Sequence, residues 1–197
     1  DVNGTIKLDG NYPVGTDNVA LGNTALDSVE AGGINNVAIG DNAGTAITTG
    51  DSNTAVGKDS LIANTTASNN VAVGTYALDS NTTASDNTAV GRSALSSNIT
   101  GANNVAVGRS SLQTNTASDN TAVGYQSLNA NTTGTANVAI GCGTLDSNTT
   151  GTNNVAAGKH SLGSNTTGAS NTAIGRTALN SNISGNNNVA VGCGALY

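Results

Sequence analysis

The residues here that could carry out chemistry are few, and their spacing keeps them apart. There is one histidine, His160, two cysteines, Cys142 and Cys193, and acids scattered singly, such as Asp79, Asp86, Asp119 and Asp146. General acid–base catalysis needs groups within reach of one reacting atom, and an activated nucleophile needs a base beside it. No stretch sets a second histidine or a paired carboxylate near His160, which reads as an ordinary solvent-facing residue. Two cysteines without further ligands do not make a zinc site. Gly141-Cys142-Gly143 lacks the third glycine of a phosphate loop, and the calcium-binding G-G-x-G-x-D repeat is absent. The expectation is a non-enzyme that carries no metal or cofactor.

Other residues recur at fixed intervals instead. Seven N-x-[ST] sequons begin at Asn64, Asn81, Asn98, Asn131, Asn148, Asn165 and Asn182, with an eighth at Asn3. Sequons mark surface loops in secreted proteins, so this column is a candidate glycosylation edge. The same Asn and Thr are also what β-turns select. Cys142 and Cys193 each sit between two glycines. They lie three repeats apart, roughly 14 Å along a stack of strands, which is too far for one disulfide. They fill a variable column of small residues or form an intersubunit disulfide. Arg92, Arg109, Lys159 and Arg176 also follow glycines, as solvated charges or as contacts for anionic sugars.

What must position these residues is a repeat. Taking the glycine that closes each V-A-V-G-like segment as an anchor gives eleven units, from Gly22 and Gly40 to Gly175 and Gly192. The spacing is 17 residues, except for one of 18 (Gly22 to Gly40) and one of 16 (Gly108 to Gly124). Two residues before the anchor is always Ala, and four before it is always Asn. Four after it is Leu in every unit but one, where Gly44 stands. The N-V-A-V-G segment alternates with period two and is bounded by Asn and Gly, which predicts a short strand. The S-N-T-T-G-x-N-N stretch predicts the turn that returns the chain to the next strand.

A single unit cannot bury its apolar edge, whereas stacked units can. The prediction is an all-β parallel β-solenoid, or β-roll, of about eleven 17-residue rungs over residues 18–197, preceded by an N-terminal segment at 1–17. Identical residues then stack, so the invariant Asn column predicts an amide ladder. The invariant Ala column predicts a tight spot, inside the coil or where another chain packs. With 26 Gly, four Tyr, and no Phe, Trp or Met, the core must be thin. A net charge of −6 without a basic cluster argues against nucleic acid. No apolar run approaches the ~18 residues of a membrane span.

The N-V-A-V-G core, as in Asn104-Val105-Ala106-Val107-Gly108 and Asn137-Val138-Ala139-Ile140-Gly141, resembles the head repeats of trimeric autotransporter adhesins of the YadA type. It is also similar to repeats of phage-tail-fibre-like and surface-fibre proteins. The resemblance implies a left-handed parallel β-roll, a homotrimer, and binding to host matrix or surface ligands. The unit here is longer than the adhesin one, which enlarges the turn side.

Val2-Asn3-Gly4-Thr5-Ile6-Lys7-Leu8 alternates like a strand and precedes a turn around Gly10 to Pro13, while the last unit stops at Leu196-Tyr197. Val2, Thr5, Ile6 and Leu8 are thus candidate contacts to the Leu196 and Tyr197 end of another copy, giving a head-to-tail filament. The other possibility is that the segment caps its own first rung. The expected function is an extracellular structural fibre, with a trimeric adhesin or tail-fibre head as the alternative. In both, self-association is the first partnership, with glycans or host surface ligands as further partners. A third expectation, weaker on the sequence, is an ice-binding solenoid. Such faces present T-x-T ranks on a strand, whereas the paired Thr here fall in a turn.

Overall fold

The computed structural model describes residues 6–7, 15 and 17–197. Among the described residues, twelve strands form one sheet in chain order. They are β1 (Ile6–Lys7), β2 (Val19–Leu21), β3 (Val37–Ile39), β4 (Thr54–Val56), β5 (Val71–Val73), β6 (Thr88–Val90), β7 (Val105–Val107), β8 (Thr121–Val123), β9 (Val138–Ile140), β10 (Val155–Ala157), β11 (Thr172–Ile174) and β12 (Val189–Val191). From β2 onward each strand pairs in parallel with the next, one turn of about 17 residues later. The fold is the all-β parallel solenoid that the repeat predicts.

Each rung carries only three strand residues because Asn precedes them and a glycine follows. The anchor glycines hold φ between 128° and 143°, a region that L side chains rarely enter. They are also crowded: a Cβ on Gly108 would stand 2.4 Å from the Gly124 carbonyl oxygen of the next rung. Any larger residue there would force two rungs apart.

Register is kept at every step, Ala on Ala from Ala20↔Ala38 to Ala173↔Ala190. The two units of unusual length hold it as well, Ala20 pairing Ala38 and Ala106 pairing Ala122. Their extra or missing residue is absorbed in the turn. In the short unit Asn115 reaches the carbonyl of Ala117, two residues on, where Asn98 and Asn131 reach three residues on.

The alanine column lies inside the coil, with Ala38, Ala72, Ala106, Ala139 and Ala173 fully buried. Facing it is the Leu column, from Leu26 to Leu179, also buried. These leucines sit in the left-handed region at φ of 50° to 53°, which is uncommon for a bulky residue. Burial of the side chain, about 2 kcal/mol each, outweighs a backbone cost of about 1–2 kcal/mol. The one unit without this Leu is repaired locally. A Cβ on Gly44 would stand 3.0 Å from Ile47 Cδ1 and 3.2 Å from Leu26 Cδ2, so Ile47, itself buried, fills the vacated space.

The rest of the interior is amide. The Asn before each strand accepts at its Oδ1 the backbone N–H of the equivalent Asn one rung on, for example Asn87 Oδ1 from Asn104 N (3.0 Å) and Asn104 Oδ1 from Asn120 N (3.0 Å). Its Nδ2 donates to a turn carbonyl, as Asn104 to Ala117 O (2.8 Å). Removing one such side chain strands a buried donor and a buried acceptor, each costing about 1–3 kcal/mol. Asn104→Ala is therefore expected to lower unfolding stability by about 3 kcal/mol in denaturant melts, while Thr100→Ala, exposed on the turn, changes it by less than about 0.5 kcal/mol.

Candidate functional site

The seven sequon asparagines do not line a surface edge. Asn64, Asn81, Asn98, Asn131, Asn148 and Asn165 are fully buried, and Asn182 is partly so. They form a second amide ladder, in which Asn81 Nδ2 donates to Asn64 Oδ1 (3.1 Å), Asn148 to Asn131 (2.8 Å) and Asn182 to Asn165 (2.8 Å). Each also donates to a turn carbonyl that the first ladder already uses: Gly151 O accepts from both Asn137 and Asn148. A glycan needs the same Nδ2 atoms and a path through the coil wall. The expectation of a glycosylated edge is thereby corrected. The threonines that complete the sequons do face outward, with Thr66, Thr83, Thr133, Thr150 and Thr167 exposed.

With Ala turned inward, the β-branched residues on either side of it face solvent. Val105, Val123, Ile140, Val155 and Ile174 are 36–48% exposed. They belong to two parallel columns that run the whole stack, one of Val and Thr and one mostly of Val and Ile. The result is a largely apolar strip about 50 Å long, from eleven strands at ~4.8 Å, interrupted by Thr54, Thr88, Thr121 and Thr172.

Beside this strip runs the column that follows the anchor glycines. It contains Lys58, Arg92, Arg109, Tyr125, Cys142, Lys159, Arg176 and Cys193, all exposed. Both cysteines are free thiols, three rungs apart in this column. The spacing argument against an intramolecular bridge therefore holds in the fold.

At the N-terminal end, β1 runs antiparallel along the edge of β2, with Ile6 opposite Leu21 and Lys7 opposite Ala20. Ile6 and Lys7 thus pair with the first rung of their own chain. Val2, Thr5 and Leu8 lie outside the described residues. At the other end Val189, Val191, Leu196 and Tyr197 are 61–76% exposed.

His160 is half-buried rather than freely solvated. Its ring leans over Gly143 one rung below, where a Cβ would stand 2.6 Å from Nδ1. With Asp146, Ser147, Ser164, Thr177 and Asn180 it lines an open polar depression of about 270 Å³. Burial raises the Asp146 pKa above its usual 3.8, and the nearby His160 opposes that rise. Burial likewise raises Asp79, whose Oδ1 has no hydrogen-bond partner. Among the described residues no three His, Cys, Asp or Glu gather as metal ligands.

No protein-family model, curated protein or solved structure matches the chain.

A carboxyl whose pKa is raised on folding holds its proton longer in the folded state, so ionising it costs stability as pH climbs past 3.8. Asp79→Asn and Asp146→Asn are therefore expected to raise unfolding stability at pH 7, and the thermal midpoint with it, each by less than about 1 kcal/mol because both groups are partly solvated. The gain should vanish as pH falls below 3.8, and melts across pH 3 to 7 measure it.

Proposed function

We propose that this chain is a structural rod of an extracellular or cell-surface assembly, without catalytic activity, in which copies lie side by side with their sheet faces together. The observation that carries this is the outward apolar strip. Contiguous exposed apolar surface of this kind marks association sites, and a solenoid needs its alanines, not its valines and isoleucines, for its own core. The resemblance of the N-V-A-V-G motif to trimeric adhesin heads supports the same arrangement, including a role as the head of a surface adhesin or tail fibre.

Charge favours a second reading, the head-to-tail fibre. Ten of the twelve acidic residues precede Arg92, and four of the six cationic residues stand at or after it. Copies stacked end to end would place unlike charges together.

Sedimentation equilibrium and electron microscopy of the full chain separate these. Side-by-side packing predicts discrete oligomers that dissociate when Val105, Ile140 and Ile174, which never stand on adjacent rungs, are all replaced by Gln, with the far-UV circular dichroism spectrum of the folded chain retained. Long filaments that fall apart at high salt and ignore the triple substitution would support the fibre. A monomer at about 100 µM, where contacts of ~6 kcal/mol already associate, would remove both.

A further inference from the structure

We propose that the exposed cationic column is a binding track for a linear acidic polysaccharide laid along the rod axis. Lys and Arg total six in the whole chain. Five of them, Lys58, Arg92, Arg109, Lys159 and Arg176, occupy the same position of the repeat, immediately after the anchor glycine. The anchor glycines abut one another from rung to rung, so the residues that follow them stand in file, one per rung, at ~4.8 Å.

The file holds two adjacent like-charged pairs, Arg92 beside Arg109 and Lys159 beside Arg176. Like charges on neighbouring strands repel. Lys58 is paired, with Asp41 at 3.5 Å and Asp59 at 4.0 Å. Among the described residues no carboxylate stands within 4.0 Å of the other four cations. A polyanion along the file would neutralise both pairs at once.

Between the pairs lie Tyr125 and Cys142. Tyr125 is 45% exposed, and the Arg109 guanidinium carbon lies 5.7 Å from its ring centroid. An aromatic face flanked by cations suits a sugar ring that bears an acidic group, the ring packing on the apolar face of the phenol. The rung spacing is close to the advance of one hexose in an extended chain, so successive acidic sugars can meet successive rungs. Single-stranded nucleic acid would instead need a series of stacking rings, and this file offers one. The acidic residues concentrated before Arg92 confine the attraction to the later rungs.

The test is retention of the full chain on immobilised polygalacturonate and heparin, carboxylated and sulfated respectively, with neutral dextran and single-stranded DNA as references. The chain should bind at least one acidic polysaccharide in about 50 mM salt and elute as salt rises. Combining Arg92→Gln, Arg109→Gln, Lys159→Gln and Arg176→Gln should weaken binding at least about tenfold, roughly 1.4 kcal/mol, with the melting temperature held or raised as the like-charge repulsion is relieved. Tyr125→Ala should give a smaller loss, and Lys58→Gln none. Absence of binding to both polysaccharides, undiminished binding by the quadruple variant, or tighter binding to DNA would each overturn the proposal.

Discussion

Everything in this rod depends on hydrogen bonds between buried asparagines of successive rungs. An amide carries its donor and its acceptor on separate atoms, so identical residues satisfy each other along a stack without alternation. Asn36, Asn53, Asn70 and Asn87 repeat the same contacts at 2.9–3.0 Å from oxygen to backbone nitrogen. A polar interior is costly when half satisfied and specifying when complete. Here the first ladder runs unbroken and sets the phase of each turn, because a slipped rung would leave amides facing alkyl groups; the second is interrupted at the 16-residue unit, where Asn98 Oδ1 is buried without a partner. The ladders thus act as the register device that a large apolar core supplies in ordinary domains.

That solution dictates what the outside looks like. Space taken by two amide columns leaves room mainly for small residues and one leucine per rung, so the strand's larger β-branched residues are turned out. The aromatic-poor composition and the apolar outer face have one cause. The turn carbonyls are consumed too: Gly168 O accepts from both Asn154 and Asn165, which ties the long turn to the wall of the coil.

Much of this was legible in the sequence. The repeat length, the strand positions and the first amide ladder follow from column identity, since stacking makes equal residues neighbours. The crowding at Gly108 follows from its invariance along the chain. What was misjudged is the second Asn column, because Asn-Thr-Thr in a turn-forming stretch gives the same local signal whether the amide points out or in. The clue was constancy: a solvated turn has no reason to keep Asn64, Asn81 and Asn98 at one position while its neighbours vary. The left-handed leucines left almost no trace, since side-chain burial overrides the backbone preference that would announce them. Gly44 was visible as a gap, but its repair by Ile47 needs the three-dimensional neighbour. The cationic file was present in the numbering of Arg92, Arg109, Lys159 and Arg176, and only stacking turns equal phase into proximity.

The units of 16 and 18 residues show how little the wall of the coil notices a change in its loops. Ala106 still meets Ala122, and Ala20 still meets Ala38. Because each 17-residue rung that carries the full set of columns offers its successor the same backbone surface, the junctions between such rungs are interchangeable. Duplication or loss of a whole unit during recombination therefore changes the length of the rod in steps of one strand spacing and leaves all remaining contacts as they were. Reach, in such a molecule, is inherited as a copy number.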